Sequence, residues 1–223
     1  LRRALEAQPQ NLEFLDTLAT ILIKQGQMEE AGSTLQRIIA LEPTIMNHRL
    51  RHVAFYDQQQ QYDKAESVLK EAIRLDPDNE TQRLTLVEYV AKRRGLAQAE
   101  STLLDARKDL PRSGKLWFAL GGLYESTQRV DKARETYRAI QEEFHGKPEG
   151  WDAKVKLAGL DWAAGKTDDA ERQLQEVLKE NSRSVDALLL RGKIALQRGN
   201  GKDATQDFRS VLKDQPESAD AHL

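Results

Sequence analysis

Two histidines of this chain have a spacing that would suit a metal site better than any other pair of residues in the sequence. His48 and His52 are four residues apart, so a helix would place both imidazoles on one face, as in a two-histidine metal site. A metal ion needs a third protein ligand, and the other histidines, His145 and His222, lie far along the chain. The chain has no cysteine, which removes thiolate ligands, disulfides and a cysteine nucleophile. We therefore expect packing histidines, with no metal and no cofactor.

Other catalytic signatures are absent from the sequence. It has no glycine-rich phosphate loop, no nucleophile elbow and no cysteine–histidine pair. Acidic pairs such as Asp168-Asp169 fall at predicted turns, where carboxylates stay hydrated and unsuited to acid–base work. The basic cluster Lys92-Arg93-Arg94 precedes a predicted turn, where the helix dipole favours cations. The sequence predicts a protein that is not an enzyme.

The near balance of basic and acidic residues bears on which kinds of partner the chain could bind. The chain carries 34 Lys and Arg against 36 Asp and Glu, for a net charge of -2. A binder of nucleic acid or of a membrane surface needs a clear excess of basic residues. No apolar run approaches the roughly 18 residues that span a bilayer. We expect a protein or peptide partner, no nucleic acid and no direct membrane insertion.

The elements that position these residues follow a regular period. Prolines recur every 34 residues, with one interval of 37 and one skipped place: Pro9, Pro43, Pro77, Pro111, Pro148 and Pro216. Alanines keep the same intervals in step: Ala31, Ala65, Ala99, Ala133, Ala170 and Ala204. The shared longer interval indicates three inserted residues around Phe144 to Lys147. A fixed period of this length is typical of a helical repeat array.

Each period predicts two helices. Apolar residues recur at three- and four-residue spacing on both sides of a short polar turn. The turn carries a residue that stops a helix, namely Gly26, Gln60, Gly95, Gln128, Gly165 or Gly199. The proline then ends the second helix, because it lacks an amide hydrogen and restricts the preceding residue. The repeated alanines would let the two helices approach closely, so a larger residue there should destabilise by about 1–3 kcal/mol.

This pattern resembles the tetratricopeptide repeat (TPR) family. The best match to the family signature is Trp117-x-x-Leu120-Gly121-x-x-Tyr124, followed by Ala133-x-x-x-Tyr137. The resemblance covers essentially the whole chain and implies an all-α fold, a right-handed superhelical α-solenoid of helix-turn-helix repeats. It departs from the family at Arg49, His52 and Arg83, where large apolar residues are usual, and at Lys154 and Asp161. We expect these side chains to lay their stems on the core and extend their charges outward.

The resemblance also implies a domain organisation. We expect a single array over 1–223, with repeats at 12–45, 46–79, 80–113, 114–150 (with the insertion), 151–184 and 185–218. Residues 1–11 would end a preceding repeat and 219–223 would begin a following one. Neither end carries the polar capping unit that an array needs, so we expect a segment of a longer array.

In TPR proteins a partner segment binds in a concave groove lined by the first helix of each repeat. Mapping the groove positions residue by residue gives the candidate partner-binding residues Leu50, Leu84, Phe118, Gly122, Val155, Gly159, Trp162, Leu189 and Leu196. Trp162 is the strongest candidate, since aromatic anchors are common hot spots. An alternative is that the apolar stripe packs against neighbouring first helices and exposes little.

The predicted function is a protein–protein interaction scaffold or adaptor that binds a partner segment in this groove. Two alternatives stay open. The repeats are loosely similar to long bacterial TPR arrays of exopolysaccharide-export or outer-membrane lipoprotein type, which would make the chain a periplasmic spacer. The array would otherwise regulate an enzyme whose catalytic domain lies outside this segment. A homodimer is a further open alternative. The compartment is cytoplasmic or periplasmic, with a lean towards the periplasm.

Overall fold

A computed structural model describes residues 1–222. Helices account for most of them, and no β-strand occurs in this range. The α-helices are α1 (Arg2–Ala7), α2 (Leu12–Lys24), α3 (Met28–Leu41), α4 (Met46–Gln58), α5 (Tyr62–Leu75), α6 (Glu80–Arg94), α7 (Leu96–Asp109), α8 (Gly114–Ser126), α9 (Val130–Glu143), α10 (Pro148–Ala163), α11 (Thr167–Glu180), α12 (Val185–Gln197) and α13 (Gly201–Asp214). A short 3-10 helix, Ala219–Ala221, follows. The predicted all-α class is confirmed.

The chain divides into two compact units. Unit 1 is Leu1–Pro111 and unit 2 is Arg112–Leu223. In both units helices pack in sequential pairs, α2 with α3 through α12 with α13, so that each pair is a helical hairpin. Each hairpin has a first helix (α2, α4, α6, α8, α10 or α12) and a second helix (α3, α5, α7, α9, α11 or α13). Within each unit the second helix of one hairpin packs against the first helix of the next.

The turn inside each hairpin needs one residue with a positive φ. Glycine supplies it in four hairpins, while Gln60 and Gln128 adopt φ values of 58° and 57° in the other two. The left-handed conformation costs a non-glycine residue roughly 1–2 kcal/mol, so packing of the helices on either side must offset that cost. The helix-stop positions read from the sequence are confirmed.

Alanines at the recurring 34-residue positions lie at the centre of the hairpins. Ala31, Ala65, Ala99, Ala133, Ala170 and Ala204 all have 0% of their surface exposed. Complete burial of so small a side chain agrees with close approach of two helices. The packing role predicted for these alanines is confirmed.

A second contact sets the helix separation in each hairpin. A Cβ atom on Gly121 would lie 2.4 Å from the Tyr137 ring, and one on Gly192 would lie 2.5 Å from the Phe208 ring. Glycine thus makes room for an aromatic ring on the second helix. The other four hairpins carry alanine or valine at the first place and leucine at the second: Ala19 and Leu35, Val53 and Leu69, Val87 and Leu103, Ala158 and Leu174.

The inserted residues change the start of α10. Helix α9 ends at Glu143, and α10 begins at Pro148 and runs for 16 residues, where the other first helices of unit 2 have 13. The prediction that Pro148 ends a second helix is therefore wrong. It is the first residue of a first helix, where proline is favoured because its missing amide hydrogen would have no helical partner.

Three of the charged residues at the family's apolar places, Arg49, Arg83 and Asp161, are buried, contrary to the expectation that they extend outward. Arg49 is 4% exposed and Arg83 is 8% exposed. Asp161, also 8% exposed, accepts hydrogen bonds of 2.7 Å from Arg134 and from Gln173. The expectation is wrong because backbone carbonyls and neighbouring side chains inside the array supply the partners that water would otherwise supply.

Candidate partner-binding surface

One face of every first helix carries the candidate residues. They occupy places i, i+4 and i+7, which share a side of an α-helix. In unit 1 these places form what we call stripe 1: Asp16, Thr20, Ile23, Leu50, Ala54, Asp57, Leu84, Glu88 and Ala91. In unit 2 they form stripe 2: Phe118, Gly122, Glu125, Val155, Gly159, Trp162, Leu189, Lys193 and Leu196. All nine predicted groove residues lie on these two stripes.

Stripe 1 is tied together by polar contacts between successive first helices. Arg51 of α4 forms an ion pair with Asp16 of α2. Asp57 of α4 accepts a hydrogen bond of 3.1 Å from the hydroxyl of Tyr89 and pairs with Arg93, both on α6. Burial and the carboxylate of Asp57 raise the pKa of Tyr89 to about 12. The polar groups of this stripe are largely satisfied within unit 1.

The apolar candidates of stripe 1 are scattered among these charges. Leu50 is 40% exposed, Leu84 is half-buried, and Ala54 lies exposed between Leu50 and Asp57. Single exposed leucines are normal on protein surfaces. Stripe 1 therefore offers no continuous apolar surface.

Stripe 2 has an apolar centre where α10 packs beside α12. Trp162 is half-buried and packs against the core shared by these helices. Its indole N–H donates a hydrogen bond of 2.5 Å to the side-chain oxygen of Gln197. Leu196, the residue before Gln197, leaves 45% of its surface exposed. We call Trp162 and Leu196 the anchor surface.

Two glycines keep space open on the same stripe. A Cβ atom on Gly122 would meet nothing within 4 Å, so the surface of α8 is open there. A Cβ atom on Gly159 would lie 3.8 Å from a methyl group of Leu190, an ordinary contact across to α12. The backbone of α8 is thus accessible to a neighbouring group at Gly122, whereas Leu190 of α12 already lies close to Gly159.

Three predicted candidates of stripe 2 face the interior more than expected. Val155 is 5% exposed and belongs to the core between α10, α11 and α12, so the structure does not leave it available to a partner. Phe118 is half-buried with its ring centroid 6.1 Å from that of Tyr137. Leu189 packs on the core of α12 and α13. In unit 2 the residues at place i support the hairpins, and those at place i+7 reach the surface.

The polar residues around stripe 2 are mostly paired. Glu125 accepts a hydrogen bond from the hydroxyl of Tyr137, and Lys193 lies 2.9 Å from Asp220. Asp152 is an exception, because its carboxyl lies close to other negative charges. Loss of hydration, together with the negative charges of Asp186 and Glu149, raises the pKa of Asp152. The N-terminal ends of α10 and α12 therefore concentrate negative charge, ten residues before Trp162 and Leu196 on the same two helices.

The histidine pair and the basic cluster singled out in the sequence have separate surroundings. His48 places its Nε2 atom 2.7 Å from Glu42, whereas His52 is buried and stacks on Tyr56 with 4.4 Å between ring centroids. Across residues 1–222, no three metal-ligating side chains come close enough to hold an ion. In the basic cluster, Arg93 pairs with Asp57 and Arg94 lies 2.7 Å from Glu66. These cations are used inside unit 1.

Helices and surface together define an α-helical repeat protein. Models of the tetratricopeptide repeat match residues 15–44, 53–79, 84–148 and 155–221. The chain belongs to the tetratricopeptide repeat family. Such repeats form scaffolds that bind other proteins, and their fold is typically non-catalytic. No helix in residues 1–222 is both long and apolar enough to cross a membrane.

Solved structures share the fold at low sequence identity. A tetratricopeptide repeat protein from Parabacteroides merdae is 17% identical with a TM-score of 0.59, covering 99% of this chain and 86% of its own. PilF from Pseudomonas aeruginosa is 14% identical with a TM-score of 0.52, covering 95% of each chain. The Cut9–Hcn1 hetero-tetramer of the APC/C is 12% identical with a TM-score of 0.54, and the match spans 43% of that chain. Among curated proteins, none matches the sequence significantly. These likenesses concern the fold alone.

Proposed function

We propose that this scaffold binds a segment of a partner protein on stripe 2, with the anchor surface of Trp162 and Leu196 making the central contact. The observation that supports this most is the exposed apolar area of Leu196, which precedes in the chain the residue that accepts the hydrogen bond of the half-buried Trp162. Tryptophan is among the residues most enriched at binding hot spots. The open backbone at Gly122 leaves room for the partner's own side chains.

The anchor surface is prepared for binding before the partner arrives. The hydrogen bond to Gln197 holds the indole of Trp162 in one orientation. A side chain that is already ordered loses little conformational freedom on binding, which otherwise costs about 0.5–1.5 kcal/mol for each immobilised side chain. Removing the remaining exposed surface of Leu196 from water contributes about 1 kcal/mol. Affinity would thus rest on a few fixed apolar contacts.

Negative charge at the N-terminal ends of α10 and α12, about 15 Å along these helices from the anchor surface, indicates the chemistry of the partner segment. Asp186 lies close enough to Asp152 for its negative charge to contribute to raising the pKa of the Asp152 carboxyl, after loss of hydration. A lysine or arginine of the partner would relieve this repulsion. Charge complementarity of this kind sets register and association rate more than affinity. We therefore expect a segment with spaced apolar residues and at least one basic residue.

A pair of matched variants tests the proposal. Leu196 on first helix α12 and Val130 at the start of second helix α9 are both 45% exposed. Leu196→Asp and Val130→Asp put the same charge on equally exposed sites, one inside stripe 2 and one outside it. Affinity capture from a lysate of the source organism should lose specific proteins with Leu196→Asp and keep them with Val130→Asp. Circular dichroism checks that both variants are folded.

Two other results would contradict the proposal. Equal retention of all proteins by both variants would move binding away from stripe 2. Retention by the wild type of nothing but further copies of its own protein would favour self-association or a spacer role. Either result would mean that the anchor surface does not make the central contact with a partner protein.

A further inference from the structure

Two clefts of unit 1 occupy equivalent places one repeat apart. The first, which we call the Arg49 cleft, lies among α3, α4 and α5 and has a volume of about 450 Å³. The second, the Arg83 cleft, lies among α5, α6 and α7 and has a volume of about 320 Å³. Most residues lining one cleft have a counterpart 34 residues away in the other. The pair allows a comparison within one molecule.

The two arginines are held in the same way. Nε and Nη2 of Arg49 donate to the carbonyl oxygen of Pro43, at 3.3 and 3.1 Å. The same two atoms of Arg83 donate to the carbonyl oxygen of Pro77, at 3.1 and 2.8 Å. Each guanidinium is therefore fixed at the wall of its cleft with Nη1 left over.

The clefts differ in what meets that remaining nitrogen. Nη1 of Arg83 forms an ion pair with Asp109 at 2.7 Å. The counterpart of Asp109 in the Arg49 cleft is Leu75, which is 56% exposed. Within residues 1–222, Arg49 has no carboxylate partner and its Nη1 makes no hydrogen bond. A buried cation without a counterion is costly, and burial lowers the pKa of Arg49.

A second polar group of the Arg49 cleft also lacks a partner. His52 is 3% exposed, and neither of its ring nitrogens has a hydrogen-bond partner in the described part of the chain. Its counterpart in the Arg83 cleft is Leu86, which needs none. Buried polar atoms without partners are rare in native proteins because each costs roughly 1–3 kcal/mol. The Arg49 cleft therefore contains a buried arginine without a counterion beside a buried histidine without a hydrogen-bond partner.

The remaining lining favours an anion with an apolar body. Lys64 adds a second positive charge to the wall, and the one carboxylate there, Glu71, is paired with Arg74. Apolar lining comes from Ile39, Val68 and Leu75. A pocket of a few hundred cubic ångströms with apolar walls and a few fixed polar groups is typical of a site for a small ligand.

We propose that the Arg49 cleft binds a carboxylate carried on an apolar body, with an oxygen on Nη1 of Arg49 and the body lying against the wall that includes His52. The carboxylate supplies to Arg49 what Asp109 supplies to Arg83. A free organic acid and the C-terminal residue of a peptide share this chemistry. The site is independent of the anchor surface, which lies in unit 2.

Histidine NMR tests the site directly, because the chain has only four imidazoles. The probes are 4-phenylbutyrate, its neutral amide, and a short peptide ending in phenylalanine with either a free carboxylate or a terminal amide. We expect the ring signals of His52 to shift and saturate with a carboxylate probe, while those of His145 stay in place. Saturation by the free acid or by the peptide identifies the source. No saturable shift with either acid, or equal shifts with the amides, would overturn the proposal.

A variant that fills the vacant place provides the second test. Leu75→Asp puts a carboxylate where the Arg83 cleft has Asp109, so it should compete with the ligand for Arg49. We expect affinity for the carboxylate probe to fall about tenfold or more, which corresponds to about 1.4 kcal/mol. Leu96→Asp is the control, since Leu96 is a similarly exposed leucine of unit 1 at 47% and lines neither cleft. Equal affinity of the two folded variants would contradict the assignment.

Discussion

Stripe 1 and stripe 2 occupy the same places on the first helices of their units, yet they differ in chemistry. In stripe 1, side chains are joined across helices by the contacts of Asp16 with Arg51 and of Asp57 with Tyr89 and Arg93. In stripe 2 the polar contact described between two first helices is the hydrogen bond from Trp162 to Gln197, the residue after the exposed Leu196. Stripe 1 satisfies most of its polar groups within unit 1, and stripe 2 exposes the apolar side chain of Leu196.

This divergence is tolerated because other residues hold the hairpins together. The buried alanines are the same in all six hairpins, while the neighbouring contact varies in a compensated way. Glycine faces an aromatic ring in two hairpins of unit 2, and alanine or valine stands with leucine elsewhere. The smallest residue on the first helix accompanies the largest side chain on the second, which limits the change in core volume that overpacking would bring. The exposed stripes can then change with little effect on the fold.

The largest expected difference between the units is a loss of stability in acid that originates in unit 1. Burial lowers the pKa of His52 to about 4, against 6.5 for a free imidazole. The unfolded chain therefore binds an extra proton between these pH values, and the free energy of unfolding falls as pH drops from about 6.5 to about 4. The loss is on the order of 3 kcal/mol for this one group. Arg49, Lys64, Tyr56 and Glu71 line the same cleft, and the two cations oppose protonation.

Urea unfolding of the wild type and of His52→Leu at pH 7 and at pH 4.5 measures this term. Leucine is the family's usual residue type at this place and cannot take up a proton. We expect the variant to be at least as stable as the wild type at pH 7 and to lose less stability at pH 4.5. An identical pH dependence of the two proteins would show that His52 does not titrate as described.

Two adjacent glycines of α8, Gly121 and Gly122, test whether residues between the helices of a hairpin matter more for stability than residues on stripe 2. Gly121→Ala would push a methyl group into the Tyr137 ring, so we expect unfolding free energy to fall by about 1–3 kcal/mol. Gly122→Ala meets nothing and should stabilise the helix by about 0.5–1 kcal/mol. Thermal unfolding followed by circular dichroism measures both. Changes of the same sign would refute the packing account.

A smaller effect is expected from breaking one link of stripe 1. The side chain of Asp57 is 18% exposed and holds both Tyr89 and Arg93, so Asp57→Asn should cost about 1–2 kcal/mol. Asp16 is 48% exposed, and Asp16→Asn should cost less than about 1 kcal/mol because water screens its pair with Arg51. Chemical unfolding at low and high salt separates the two. A larger loss of unfolding free energy from Asp16→Asn than from Asp57→Asn would mean that burial does not determine the strength of these ion pairs.

Much of the fold follows from the sequence, because repetition averages out local ambiguity. Six copies of one spacing located the hairpins, the buried alanines and the turn residues such as Gln60 and Gln128. The single interval of 37 located the insertion but not its form. Proline is compatible both with the residues after a helix and with its first turn, so Pro148 was assigned to the wrong helix.

The repeat period of the sequence does not determine how deeply each side chain on a helix face is buried. The spacing placed Val155 and Trp162 on one face of α10, yet the first lies in the core and the second reaches the surface. Which of them is covered depends on the neighbouring helices α11 and α12 rather than on their own helix. Burial of Arg49 was missed for a related reason, since its partner is the carbonyl of Pro43, and sequence spacing does not reveal backbone partners.

Site-specific photo-crosslinking tests the central claim most directly, namely that stripe 2 binds a partner and stripe 1 does not. A photoreactive amino acid would replace Leu196 in stripe 2 or Ala54, which is also exposed, in stripe 1. In lysate of the source organism we predict a discrete crosslinked protein from position 196 and none from position 54. A discrete product from position 54 with none from position 196 would contradict the account.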